Sequence, residues 1–421
     1  MLSDHADTIA LTARHLHPHR LGLFRSFGVE IVMGKREGYR FADQSGRWLH
    51  DLHLNGGTFN LGHRNPVLCG VLAVALTEVD IGNHHFPSPA RARLAQQLLA
   101  TQGFGADHVV FSTTGSEAVD VAIKAARRAT GRRAIVSIDR GYHGRTGLSG
   151  AAGDDDAARY FLSDSPAEFV RVPWNDAEAM EVAVRTADAA AVILEPLPAT
   201  YGFPLPAPGY LAAVRDICTR HDALFIADEV QTGLCRSGDW WAIEHFGVQP
   251  DILVTSKGLG GGLYPIAATL LTPRPAAWLA ENGWAHVSTF GGAELGCHVA
   301  SAVIDISGQP ETRATIAASA RHLGDGLRAI QRDTDYLVEV RQTGLIFGLK
   351  FDHEQGALHM MKALLDEGVW AMFSGFDTSV LQFKPGLLLT PDACDDILKR
   401  VRRAVTVAAA FRHAAPLGIP G

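Results

Sequence analysis

A chain of 421 residues with 47% hydrophobic and 20% charged residues is too long for one small core, and that balance excludes a disordered or collagen-like polymer. Its 38 basic and 45 acidic residues give a net charge of −7, with no basic run beyond short clusters such as "ARRATGRR", so no nucleic-acid footprint is present. No window approaches the roughly twenty apolar residues that span a bilayer, and the expectation is two packed units working on small molecules.

The N-terminal "MLSDHADTIALTARHLHPHR" carries early acids and no continuous apolar stretch, so it reads as a polar leader and not as a signal peptide. His15, His17 and His19 alternate around a proline, but nothing downstream completes a metal-ligand set. The stretch "GYRFADQSGRWLHDLHLNGGTFNLGH" then alternates short strand-like runs with turn residues, which predicts a small antiparallel unit. From about residue 105 to 290 the apolar runs "HVVFST", "AIVSID", "AAAVILEP", "ALFIADE", "DILVTSK" and "IAATLLT" recur, several of them separated by amphipathic stretches. That pattern predicts a doubly wound α/β unit with a mainly parallel sheet flanked by helices. "TRATIAASARHLGDGLRAIQ" predicts a helix, "LVEVRQTGLIFGLKF" and "VLQFKPGLLLT" predict strands of a second small sheet, and the tail "HAAPLGIPG" reads as frayed. With no low-complexity linker or repeat, the division follows the change of pattern: residues 59–311 form the large unit, and 1–58 with 312–421 form a smaller α+β unit from both termini. Five scattered cysteines (Cys69, Cys218, Cys235, Cys297, Cys394) without a CxxC pair read as reduced thiols of a cytoplasmic protein.

Three of the apolar runs end in charge: "AVILEP" in Glu195, "LFIADE" in Asp228 and Glu229, and "ILVTSK" in Lys257. Parallel strands share one carboxyl edge, where ligands bind, so these groups are expected in one cleft. In "FSTTGSEAVDVAIKAARRA" a strand runs into a helix whose inner face is Val119, Ala122, Ile123 and Ala126, with Thr114 and Glu117 spaced as a capping box. Free amides at Gly115 and Ser116 would cradle a phosphate, and neither a Walker A sequence nor GxGxxG accompanies them. A lysine able to form a Schiff base, an aspartate able to hold a pyridine nitrogen protonated and an anion cradle together fit pyridoxal 5′-phosphate.

The block "HDALFIADEVQTGLCRSGDWWAIEHFGVQPDILVTSKGLGGGLYPIAATL" closely resembles the class III, or ω-type, aminotransferases, the group of the ornithine, acetylornithine and 4-aminobutyrate aminotransferases. "DQSGRWLHDL", "NLGHRNP", "TTGSEAVDVAIKAAR", "GYHGRTGLS", "ILEPL", "APGYLAAVRDIC" and "HVSTFGGAELGC" extend the resemblance almost end to end. It implies a fold-type I homodimer with shared active sites, moving an amino group from a primary amine or amino acid to a keto acid by a ping-pong cycle. It also implies roles: Lys257 for the Schiff base, Asp228 for the pyridine nitrogen, Gln231 for the ring hydroxyl, and Val230 and Tyr142 on the ring faces. Gly115 and Ser116 would hold the phosphate, Thr289 would reach it from the other subunit, and Glu195 would brace the aspartate side. The family also holds racemases, a decarboxylase and phospho-lyases, which stand as the alternative outcome on the same cofactor. A non-catalytic module binding the cofactor or an amine is the remote one.

The departures concern the substrate. Arg145 in "YHGRT" matches an arginine that grips a carboxylate of glutamate or 2-oxoglutarate in ornithine and 4-aminobutyrate aminotransferases. Where ornithine and acetylornithine aminotransferases read "LRFAP" this chain reads "LQFKP", placing Gln382 at the α-carboxylate arginine and Lys384 on the same strand face. Thr200 in "ATYG" replaces the glutamate that shields that arginine in ornithine aminotransferases, so both halves of the charge switch are missing. Gly56 stands where ornithine aminotransferases carry a tyrosine, which predicts a wider mouth for a bulkier amine unless the two glycines serve a tight loop.

Overall fold

The computed structural model describes residues 4–153 and 155–413; apart from His413, the C-terminal tail read as frayed lies outside them. The polar leader contains two helices, His5–His15 and Pro18–Ser26, the second begun by Pro18, whose fixed φ suits a first helical position. Strands β1 (Met33–Glu37), β2 (Arg40–Asp43) and β3 (Trp48–Asp51) form the expected antiparallel unit.

Seven strands follow: β4 (His108–Ser112), β5 (Ile135–Ile138), β6 (Phe169–Val172), β7 (Ala191–Leu194), β8 (Leu224–Asp228), β9 (Ile252–Thr255) and β10 (Ala267–Leu271). They make one sheet in the order β4-β10-β9-β8-β7-β5-β6. All residues of β5, β7, β8, β9 and β10 are buried, which is why they read as unbroken apolar runs. The sheet is parallel except at β10, which runs antiparallel to both β4 and β9. Strand β6 was not expected, because "FVRV" is short and carries a charge. The helix Gly115–Thr130 covers one face with Val119, Ala122, Ile123 and Ala126 all buried.

The C-terminal part holds β11 (Leu337–Thr343), β12 (Ile346–Phe351), β13 (Val369–Trp370), β14 (Met372–Ser374) and β15 (Asp377–Phe383). A second small sheet forms in the order β11-β12-β15-β14, behind the expected helix, which spans Pro310–Arg332. In "VLQFKPGLLLT" the strand stops at Phe383, because Pro385 has no N–H to continue the ladder; Leu387 and Leu389 are buried from a loop. Strand β13 pairs in parallel with β3, so segments near the two termini share one sheet.

Candidate functional site

Parallel pairing sets the register Leu194–Ala227 between β7 and β8 and Asp228–Val254 between β8 and β9. The next residues along these strands, Glu195, Glu229 and the Ser256–Lys257 turn, therefore leave the sheet at one edge. There a cavity of about 140 Å³ is lined by Gly115, Ser116, Tyr142, His143, Glu195, Asp228, Val230, Gln231, Ser256 and Lys257, together with Thr114 and Gly144.

Lys257 begins a 3-10 turn, Lys257–Gly260, with φ +44, a left-handed conformation costly for a residue with a Cβ. The glycines after it give clearance against the protein itself and not into the cavity. A Cβ on Gly258 would fall 2.6 Å from Asn60 Nδ2, and one on Gly262 would overlap the Phe59 ring. Burial pushes the Lys257 amine below its ordinary value, with Asp228 and Glu195 opposing the shift.

Asp228 is 3% exposed, and its carboxylate accepts from the Val230 N–H (3.1 Å) and bonds Nδ1 of buried His143 (2.8 Å). His143 was missed at the sequence level, although it sits inside "YHGRT"; its Nε2 has no partner among the described residues. Glu195 makes no hydrogen bond to Asp228. It accepts from the backbone N–H groups of Tyr142 (2.9 Å) and Ala199 (3.2 Å) and so braces two loops, and burial pushes its carboxyl up to about 7.

Glu229 turns out of the cavity, accepting from Ile243 N–H at 2.7 Å and from the Thr232 hydroxyl. Burial pushes its carboxyl up to about 7 from 4.5, so between those values the folded chain holds a proton that the unfolded chain has released. That contribution to stability is complete below about 4.5 and is lost as pH rises through about 7. In urea unfolding, Glu229→Gln should flatten the fall in stability between about pH 4.5 and about pH 7 by on the order of 3 kcal/mol; an unchanged slope would contradict this.

Thr114 caps the helix as expected, accepting from Glu117 N–H at 3.2 Å, but the reciprocal arm lands one residue early. Glu117 accepts from the N–H and hydroxyl of Thr113 (2.8 and 2.6 Å), leaving the first-turn amides of Gly115 and Ser116 at the cavity wall. Val230 lies under Gly115, where a Cβ would approach its Cγ1 to 3.0 Å, and the Arg145 guanidinium sits 4.8 Å from the Tyr142 ring centre.

Gly56 is buried at φ +71, and a Cβ there would lie 3.1 Å from Lys257 Cε and 3.5 Å from Gln231 Oε1. The left-handed loop and the close approach both require glycine, so a side chain at this position would meet the lysine itself. The loop is tied by Asp51, which accepts from the N–H groups of His53 (3.1 Å) and Leu54 (2.7 Å) and bonds His63 at 2.9 Å. Gln382 and Lys384 do share a face, but both are buried and joined, with Lys384 Nζ on Gln382 Oε1 at 2.5 Å and on Gln231 Oε1 at 3.0 Å. Thr200 Oγ1 has no partner among the described residues. Thr289 is exposed and outside the cavity of its own chain.

The donor set suits pyridoxal 5′-phosphate: helix amides for a phosphate, a depressed lysine for an aldehyde, a buried carboxylate for a ring nitrogen, and an orphan imidazole behind it. A larger hollow of about 790 Å³ at the other edge of the sheet is lined by Asp216 and by two ion pairs, Arg215 with Asp251 and Arg274 with Asp222. Among the described residues no cluster of three or more metal-ligating side chains exists, His15, His17 and His19 included, and no helix is long and apolar enough to cross a membrane.

The family model "Aminotransferase class-III" matches residues 25–405. An uncharacterized aminotransferase of Archaeoglobus fulgidus is 42% identical over 408 residues, covering 97% of this chain and 96% of that protein. The N-acetylornithine aminotransferase of Stenotrophomonas maltophilia superposes with a TM-score of 0.78 at 28% identity, covering 94% of this chain and 100% of the other. The ornithine aminotransferase of Toxoplasma gondii superposes at 0.87 with 24% identity, covering 97% and 96%, which shows the shared fold.

Proposed function

The chain belongs to the class-III aminotransferases, fold-type I enzymes that use pyridoxal 5′-phosphate, and from that premise we propose which residues do the work and on what. The cofactor, when bound, supplies an aldehyde for an amine and a protonated ring that takes up electrons. Lys257 is the nucleophile that holds it and afterwards the base that carries a proton between the reacting carbons, a task suited to an amine already depressed by burial. Asp228, aimed by His143 and by the Val230 N–H, faces the ring nitrogen. Gly115 and Ser116 hold the phosphate, Val230 and Tyr142 flank the ring, Gln231 meets its hydroxyl, and Glu195 fixes the loop that carries Tyr142. The observation that carries this reading is one cavity in which Lys257, the His143–Asp228 pair and the Gly115–Ser116 helix start meet.

A homodimer in which Thr289 completes the partner's phosphate site is supported by the exposure of that residue. Pairing of β3 with β13 supports the division into 59–311 and a smaller unit from 1–58 and 312–421. Five free thiols suit the cytoplasm.

The donor is a primary amine, and the acceptor is a keto acid such as 2-oxoglutarate, gripped by Arg145 at the cavity rim. Gln382 offers no charge for a carboxylate, and its oxygen is already held by Lys384. A panel of amine donors, read by loss of the cofactor's absorbance, names the donor class; no change with any amine would sink the transaminase reading. Arg145→Ala should raise KM for glutamate or 2-oxoglutarate by roughly ten- to a hundredfold and leave a monoamine within about threefold. Equal losses for both would remove Arg145 from carboxylate binding.

A further inference from the structure

Lys384 follows β15 directly and is 0% exposed, yet among the described residues no carboxylate lies within ion-pair distance of it. Its backbone is pinned by donation of its N–H to Leu52 O at 2.7 Å, and its ammonium stands 5.6 Å from the Phe203 ring centre. Its hydrogen bonds go to two glutamine side chains, through the oxygen of each: Gln231 Oε1 at 3.0 Å and Gln382 Oε1 at 2.5 Å.

An ammonium has donors and no acceptor, whereas a glutamine amide has one end of each kind. A donor-only partner therefore decides which end of the amide faces it. With its oxygen turned to Lys384, Gln231 can offer the cavity only its NH2 end, which has no protein partner among the described residues. Turning the amide over would set N–H against N–H in a buried space, where an unmade hydrogen bond is costly. We propose that Lys384 is a positioning residue that locks the Gln231 amide in one sense, so that the cavity presents an N–H donor to an anionic oxygen, the ring phenolate of pyridoxal phosphate.

Burial, together with Lys257 and Arg236, pushes the Lys384 amine well below its ordinary value, and Asp51 opposes them. The lock belongs to the ammonium form, because an uncharged amine keeps two N–H groups for the two carbonyls but gains a lone pair able to accept from a turned-over amide. The inference rests on the cavity being the cofactor site with Gln231 as a contact.

Cofactor affinity separates the two ideas. The full-length protein stripped of pyridoxal phosphate is titrated with it by equilibrium dialysis. Gln231→Met and Lys384→Met should each raise Kd by about tenfold, and the double variant should be no worse than about either alone, because Lys384 acts through Gln231. An unchanged Kd for Lys384→Met beside a raised Kd for Gln231→Met, or losses that multiply in the double variant, would overturn the positioning role and leave the cofactor site standing. An unchanged Kd for Gln231→Met would overturn both. If Lys384→Met does not fold, Gln231→Glu serves: it keeps the pairing with Lys384 but turns an acceptor to the cavity. It should then lose about tenfold or more in affinity with its thermal midpoint kept, and wild-type affinity would overturn the proposal.

Discussion

Lys257→Ala should lower turnover by roughly five orders of magnitude while leaving the fold intact. The size of the loss follows from the number of tasks that one side chain performs: covalent capture of the cofactor, and carriage of the proton at the reacting carbons. The structure prepares it for both. A left-handed start to the Lys257–Gly260 turn aims the side chain past Gly56, burial depresses the amine, and Asp228 and Glu195 keep the shift in check. Thermal stability should not fall, because alanine relieves the buried amine while keeping the same Cβ at φ +44. Borohydride treatment of the holoenzyme, followed by peptide mass spectrometry, should leave a phosphopyridoxyl mark on Lys257 that is absent from the variant. Lys384 provides an internal control, being a second depressed and buried lysine beside the same glutamine. A mark on Lys384, or turnover within about a hundredfold of wild type in Lys257→Ala, would sink the assignment.

The charged strand ends were legible because a strand buried on both faces admits no charge except at its end, so Glu195, Asp228 and Lys257 stand out against apolar runs. Adjacency of β7, β8 and β9 then converts three strand ends into one wall. What could not be read is everything that depends on direction or on partners distant in sequence. Glu229 adjoins Asp228 but faces away, since successive side chains leave a strand on opposite sides. His143 reaches Asp228 across 85 positions, and a histidine in a loop carries no periodic signal that would mark it. Strand β10 has the same apolar composition whichever way it runs, so its antiparallel placement left no trace. For Lys384, the face it shares with Gln382 was visible. Its burial and its hold on Gln231, 153 positions away, were not.

Asp228→Asn tests the other half of the site, and turnover should fall by about a thousandfold while Lys257 still takes the borohydride mark. Asparagine keeps the shape and one acceptor for the Val230 N–H, so position is preserved and charge is removed. The charge is what matters in this pocket, because a buried anion next to a ring nitrogen acts through a medium less polarisable than water. Glu195 cannot take over. Its oxygens are committed to the amides of Tyr142 and Ala199, and burial lifts its carboxyl to about 7, leaving it a substantial neutral fraction near neutrality. His143→Leu should cost far less, about tenfold, since it removes the aim of the carboxylate and keeps the carboxylate. The ratio between the two variants is the informative quantity. Equal losses would mean that Asp228 works by geometry alone, whereas a hundredfold gap would assign the effect to its charge.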